Sequence, residues 1–383
     1  MQYVAGNRLT LLKNGVQYFP ALVEAIDAAR GEVFLESYLY ADDETGERVT
    51  GALARAAARG VNVHLLVDGF GAGDFPRRFR DPLQAAGARL LVFRPEFARR
   101  RWRRGRLRRM HRKLAAIDGK LAFVGGINVI DDFESRERQA PRYDYAVRIE
   151  GPLAGEVRNA AARLWLRVSW ATLRRRARPD AALPPPAPCG TQGACLVVRD
   201  SLRHRRDIED AYLRHIEAAR AEIVIACAYF LPGRTFRRAL YAATRRGVRV
   251  QLLLQGRVEY FFLYYAMRGL YGRLLDAGVE IYEYNQSFLH AKVAVFDRRA
   301  ACVGSSNIDP FSLLLAREAN VFVDDPGFAT ELHDSLEEAM RSGAERLPPL
   351  QWHRQPLWRR AWIWLVYALA RFLISRLGFE RYH

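Results

Sequence analysis

Cysteine is scarce in this chain and poorly spaced for holding metal. Four occur in 383 residues, at Cys189, Cys195, Cys227 and Cys302. A structural zinc site draws on closely spaced ligand pairs, and these positions form none. So few in a chain this long also argue against a disulfide scaffold, so all four read as reduced and structural. A secretory leader is missing as well. The opening MQYVAGNRLTLLKNG holds no sustained apolar core, so the chain is expected to remain on the cytoplasmic side. No cluster of carboxylates suits magnesium or zinc, and neither a metal nor another cofactor is expected.

Histidine is rare too, with eight in all, and two of them open a phrase that occurs twice. His111, Lys113 and Asp118 in HRKLAAID are followed by Gly125, Gly126 and Asn128. His290, Lys292 and Asp297 in HAKVAVFD are followed by Gly304, Ser305 and Asn307 at the same offsets. A long pattern repeated at identical spacing is hard to ascribe to chance.

The spacing fits a β-strand leaving a turn. Residues two apart share a face, so each histidine projects with its lysine. The small pair lets backbone approach closely, and the asparagine adds a neutral donor. Two histidines, two lysines and two asparagines converging suit a phosphodiester. Cationic and amide groups bind the phosphoryl oxygens, while a ring nitrogen attacks phosphorus. Each imidazole also needs a carboxylate on its other nitrogen to fix its tautomer. One candidate follows each motif: Asp144 in RYDYAVRI and Glu318 in REANVFV.

These residues resemble the phospholipase D superfamily, marked by HxKxxxxD and a following GGxN or GSxN stretch in each of two halves. The stretches RRMHRKLAAID, DYAVRIEGP, ACAYFLPG and VGSSNIDP are similar to bacterial cardiolipin synthases, especially the class-B type without amino-terminal membrane helices. The resemblance implies transfer of a phosphatidyl group between two phosphatidylglycerol molecules, giving cardiolipin and glycerol. It implies His111 as nucleophile and His290 as acid and base. Lys113, Lys292, Asn128 and Asn307 then bind phosphate, while Asp118 and Asp297 support the motif loops. Where the family often has an aspartate-proline-arginine-serine stretch this chain has Asp309, Pro310, Phe311 and Ser312, so a role resting on that arginine is not carried over. A phosphodiesterase or nuclease using water as acceptor is the second reading of the same residues.

Element order repeats with the motif. Helix, turn and apolar β-branched strand alternate in both halves, and ARGVNV in one answers RRGVRV in the other. This pattern predicts an α/β fold with a largely parallel sheet, built as two phospholipase D-like α/β/α halves. The halves form a pseudo-dimer with the active site at their interface. The expected domains are residues 1–182 and 193–348, joined by a proline-rich linker at 183–192 and followed by an amphipathic tail at 349–383.

A net charge of +18 calls for a polyanionic partner. Arg99, Arg100, Arg101, Arg103, Arg104, Arg106, Arg108 and Arg109, with Trp102 and Leu107, crowd the approach to His111 and suggest an anionic membrane surface rather than nucleic acid. No obligate protein partner is inferred. Tyr260, Phe261, Phe262, Tyr264, Tyr265 and Tyr271 form an aromatic helix suited to core packing or to membrane contact. In the tail, ten apolar residues lie between Arg360 and Arg371, well short of the roughly 20 needed to span a bilayer. Arg360, Trp364, Tyr367 and Arg371 share one helical face, with Trp362, Leu365, Leu369 and Phe372 elsewhere. An interfacial helix is expected, with a tilted spanning helix as the second reading.

Overall fold

The computed structural model describes residues 1–73, 75–94, 108–133, 141–172, 183–200, 204–309, 312 and 316–374. The first half runs β1 (Val4–Lys13), α1 (Asn14–Ala28), β2 (Glu32–Ser37), α2 (Glu44–Ala58), β3 (Asn62–Asp68), α3 (Arg77–Ala85) and β4 (Arg89–Phe93). It continues through β5 (Lys113–Ile117), β6 (Leu121–Gly125), β7 (Tyr145–Glu150) and α4 (Pro152–Ala171). The second half repeats this as β8 (Gln192–Arg199), α5 (Asp207–Ala218), β9 (Glu222–Cys227), α6 (Arg234–Arg245), β10 (Arg249–Gln255), α7 (Phe261–Asp276) and β11 (Glu280–Tyr284). It closes with β12 (Lys292–Phe296), β13 (Ala300–Gly304), β14 (Glu318–Asp324), α8 (Pro326–Gly343) and β15 (Ala344–Arg346). Two further helices follow, α9 (Pro349–His353) and α10 (Leu357–Ile374).

The strand order is β15-β11-β10-β9-β12-β13-β14-β8-β1-β7-β6-β5-β2-β3-β4. Read outward from the β8–β1 junction, it gives the same sequence of strands in each direction, with β15 added at the edge of the second half. The expectation of a largely parallel sheet needs correction. Only β2, β3 and β4, and likewise β9, β10 and β11, run parallel to one another. The motif strands and those toward the junction pair antiparallel. Parallel neighbours need a crossover, which α2 and α3 provide in one half and α6 and α7 in the other. After β5 and β12 the chain instead folds back through tight turns.

The motif strands are apolar on both faces. On β5, Leu114 and Ala116 join the core shared by the halves, while Ala115 and Ile117 pack in the core with α1 and α2. On β12, Val293 and Val295 enter the shared core, and Ala294 and Phe296 enter the second half's own. The shared core also takes Val124 and Val147 from one half and Val303 and Val321 from the other. Strand burial on both faces accounts for the near-continuous apolar runs.

Asp118 and Asp297 lie at the far ends of these strands, in the hairpin turns. Both adopt the left-handed region, at φ 52°, which a short polar side chain tolerates. The Asp118 carboxylate accepts from the backbone N–H of Arg30, Gly31 and Glu32 at 3.0, 2.8 and 2.9 Å. Asp297 accepts from Arg220, Ala221 and Glu222 at 2.8, 2.8 and 2.9 Å. Each ties the motif hairpin to the helix-to-strand turn beside it.

The tail departs from expectation in one respect. Helix α10 packs along α7, and Tyr367 is buried in that contact, so it does not share an outward face with Arg360 and Trp364. Gly269 makes this possible: a Cβ there would lie 2.5 Å from the Cβ of Tyr367. Trp358, Trp362, Trp364, Leu365, Leu369 and Phe372 remain exposed. Among the described residues no helix is long and apolar enough to cross a membrane. The aromatic run of α7 is divided. Tyr260, Phe261 and Phe262 are exposed at its start, whereas Tyr271 is buried near its end, with its ring 5.2 Å from that of Trp352.

Because each turn aspartate holds three backbone donors, Asp118→Ala and Asp297→Ala should each lower stability by roughly 1–2 kcal/mol. Urea unfolding should show midpoints reduced by similar amounts at unchanged slope. Midpoints equal to the wild type would show that these anchors contribute nothing.

Candidate active site

Two short isolated bridges build the site. Met110 pairs with Arg317, and Tyr143 pairs with Leu289. In the first, His111 N–H donates to the Arg317 carbonyl at 2.9 Å; in the second, His290 N–H donates to the Tyr143 carbonyl at 2.8 Å. Each bridge thus sets the residue entering one motif beside the residue preceding the other half's carboxylate.

The carboxylates therefore cross between halves. His111 Nδ1 lies 3.0 and 3.1 Å from the two Glu318 oxygens. His290 Nδ1 lies 2.5 Å from Asp144 Oδ2. With Nδ1 engaged in each ring, Nε2 is the nitrogen left for chemistry. Sequence spacing offered one carboxylate after each motif without stating which histidine it serves, and the structure pairs each with the histidine of the opposite half.

The small residues after the motifs match these carboxylates. A Cβ at Gly126 would fall 2.3 Å from Asp144 Oδ1, so only glycine leaves room there. At the equivalent position Ser305 donates its hydroxyl to Glu318 Oε2 at 2.5 Å. The Gly-Gly and Gly-Ser variants of the motif are thus tied to which carboxylate each one faces.

Lys113 Nζ donates to the His111 carbonyl at 2.7 Å and lies 5.2 Å from the centre of the Tyr38 ring. Lys292 donates to the His290 carbonyl, and its Nζ lies 2.8 Å from His290 Nδ1 and 3.6 Å from Asp144. Asn128 Oδ1 accepts from Leu39 N–H at 3.0 Å, which leaves its NH2 end to donate elsewhere. Asn307 Oδ1 lies 4.0 Å from Cys227 Sγ. Cys195, Cys227 and Cys302 are buried free thiols, and Cys189 is an exposed one.

Burial dominates the electrostatics. It pulls the His111 pKa below the ordinary 6.5; Glu318 opposes that shift, while Lys113 and Lys292 reinforce it. Burial also takes His290 well below, helped by Lys292, Arg142, Lys113 and His111. Both lysines are lowered for the same first reason. Asp144 is pushed up to about 6 by burial, against the pull of Lys292. Groups from both halves perturb one another, as expected of a single pocket. Its clustered cations favour an incoming anion.

The family described as "Cardiolipin synthase, PLD-like domain" matches residues 22–165 and 212–340. The chain belongs to this family. It is 36% identical to cardiolipin synthase B of Escherichia coli strain K12, over 99% of this chain and 91% of the relative. Cardiolipin synthase B of Salmonella typhi is 38% identical over 87% of this chain and 80% of its own length. Among solved structures, phosphatidylserine synthase of Haemophilus influenzae superimposes with a TM-score of 0.70 at 14% identity, covering 98% of this chain and 96% of that one. That likeness supports the fold.

In this cardiolipin synthase-like site, several supporting residues escaped sequence reasoning. Buried Asp68 accepts from Met110 N–H at 2.8 Å, and Gln255 does the same for Leu289 at 3.3 Å. Arg112, inside the first motif, forms a buried two-pronged pair with Glu36 at 2.5 and 2.8 Å. Glu36, directly after the apolar run Val33-Phe34-Leu35, was the available signal for that pair. Of the arginine run, Arg108 and Arg109 are described, with Arg109 4.5 Å from the centre of the Phe70 ring. Arg99, Arg100, Arg101, Trp102, Arg103, Arg104, Arg106 and Leu107 lie outside the described residues, as do Pro310 and Phe311.

Glu318 raises the His111 pKa, so Glu318→Gln should lower it further. Histidine NMR titration should show that downward movement, together with a loss of turnover of about 100-fold or more. A His111 titration identical to the wild type would contradict the crossed pairing.

Proposed function

We propose that the protein is a phosphatidyltransferase that condenses two phosphatidylglycerol molecules into cardiolipin and glycerol. The observation carrying this reading is the meeting of two His-x-Lys pairs in one pocket, each imidazole braced by a carboxylate from the other half. Family membership supplies the lipid.

In the first step His111 Nε2 attacks phosphorus of the donor phosphodiester. A P–N bond forms, the P–O bond to glycerol breaks, and His290 Nε2 gives its proton to the departing oxygen. In the second step the terminal hydroxyl of another phosphatidylglycerol loses its proton to His290 as its oxygen attacks phosphorus. The P–N bond breaks, and His111 is regenerated. Lys113, Lys292, Asn128 and Asn307 stabilise the phosphoryl oxygens in both steps. The assignment of His111 as nucleophile follows from family resemblance.

The lowered histidine pKa values fit this cycle once a substrate is bound. A phosphodiester anion beside Lys292 raises the His290 pKa, so its proton is retained until the leaving oxygen needs it. His111 stays neutral and nucleophilic to pH values below the ordinary 6.5. Membrane association follows from the exposed tryptophans of α10 and the basic charge, and we place the enzyme on the cytoplasmic face as a peripheral or monotopic protein.

Three experiments test the proposal. His111→Ala and His290→Ala should each reduce cardiolipin formation from phosphatidylglycerol by several orders of magnitude, read by mass spectrometry of the lipid product. A phosphodiester with a p-nitrophenyl leaving group needs no acid, so it should restore nitrophenol release to His290→Ala alone. Rescue of His111→Ala instead would reverse the roles, and phosphatidic acid as the sole wild-type product would favour the hydrolase. For the membrane, Trp364→Ser with Leu365→Ser should weaken flotation with anionic liposomes more than turnover of detergent-dispersed lipid. Equal flotation would move the docking surface away from α10.

A further inference from the structure

The chemistry at the centre is duplicated, yet a transfer reaction must treat donor and acceptor differently. The sheet registers show where the duplication ends. Lys292 lies opposite Cys227 in the β9–β12 ladder. Continuing the β2–β5 ladder one step beyond Glu36–Leu114 sets Lys113 opposite Ser37. Ser37 therefore corresponds to Cys227 and, two residues on, Leu39 to Tyr229. In the same way Asp68 and Gln255 hold equivalent backbone donors. Four residues beyond them Ala72 corresponds to Glu259.

Two apolar side chains in the first half are thus replaced by a tyrosine and a glutamate in the second, and these two touch. The Tyr229 hydroxyl donates to Glu259 Oε2. Arg142 Nη1 lies 3.7 Å from Glu259 Oε1, and the Glu259 side chain keeps 23% exposure. Arg142 directly precedes Tyr143, whose backbone bridges Leu289 beside His290, and its guanidinium lies 5.9 Å from the centre of the Phe288 ring, which places this cluster on the His290 side of the site. The Tyr260 ring lies 5.8 Å from that of Tyr229. The phenol of Tyr260 also perturbs Tyr38, whose ring is 4.8 Å from His111. The cluster therefore stands on the side of the histidine that takes the acceptor's proton.

A carboxylate is an acceptor without a proton to give, so it repels a phosphate and suits a hydroxyl. Arg142 already supplies Glu259 with a cation, which makes a second one, such as an ammonium headgroup, a poorer fit. We propose that Glu259, oriented by Tyr229 and Arg142, accepts a hydrogen bond from the second hydroxyl of a vicinal-diol headgroup and so selects the acceptor alcohol. The proposal rests on the phosphatidyl-transfer reading and names which group distinguishes acceptors at that site. With the inner hydroxyl held by Glu259, the terminal hydroxyl forms the new O–P bond as P–N breaks, and its proton passes to His290.

The test is a competition within one reaction. Phosphatidylglycerol in detergent serves as donor, with 1,2-propanediol, 1-propanol and ethanolamine present at equal concentration as acceptors. Mass spectrometry reads the ratio of their phosphatidyl products. All products come from one pool of intermediate, so the ratio is independent of how much variant enzyme is folded. The wild type should favour the diol over 1-propanol. Glu259→Met, which removes the acceptor at similar length, should reduce that preference about tenfold, the value of one charge-assisted hydrogen bond. Tyr229→Phe should move it in the same direction. A diol preference unchanged in both variants overturns the proposal, as does a loss confined to the ethanolamine product. Absence of every transfer product from the wild type, cardiolipin included, would instead overturn the phosphatidyl-transfer reading itself, and this inference with it.

Discussion

The exchange of carboxylates between the halves is the constraint on which the site depends. Each histidine is aimed by an acidic side chain that its own half does not supply, across separations of 207 and 146 residues. Neither pair can form unless the inner faces of the two halves meet. The shared apolar core enforces that meeting, and the Met110–Arg317 and Tyr143–Leu289 bridges set its register. Catalytic geometry and interface packing are one problem here. A substitution that loosens the shared core should therefore disturb imidazole orientation before it disturbs either half's own fold.

The interface also sets the electrostatics. Burying two imidazoles and two ammonium groups together is unfavourable, and the cost appears as lowered pKa values throughout the cluster. Asp144 and Glu318 offset part of that cost. An anionic phosphodiester bound among these cations offsets more. Around this nearly symmetric centre, Tyr38 sits beside His111, while Tyr229 and Glu259 stand on the side of His290. Symmetry serves the two chemically similar steps, and its breaking serves the choice of partner.

Much of this was legible in the sequence because the motif offsets survive in both copies. His-x-Lys spacing on a strand, the alternation of helix and strand, and the two acidic candidates follow from local pattern. Strand direction did not, since an apolar β-branched run reads alike whether its neighbour returns through a helix or a hairpin. The crossed pairing was hidden because it joins residues far apart in the chain. The face of α10 was misread around Tyr367 because the contact depends on Gly269 in another helix, a fact that helical periodicity within the tail does not contain. The difference between Gly126 and Ser305 was visible but carried no meaning until Asp144 and Glu318 were seen against them.

The central claim is that two halves make one site, with one covalent intermediate per chain. Rapid denaturation in detergent at mildly alkaline pH, which preserves the P–N bond, during turnover of phosphatidylglycerol labelled in its phosphate counts that intermediate directly. The account predicts that protein-bound label rises with substrate and levels off at no more than one phosphatidyl group per chain. A plateau approaching two per chain would mean that each half works with its own histidine, and would contradict it.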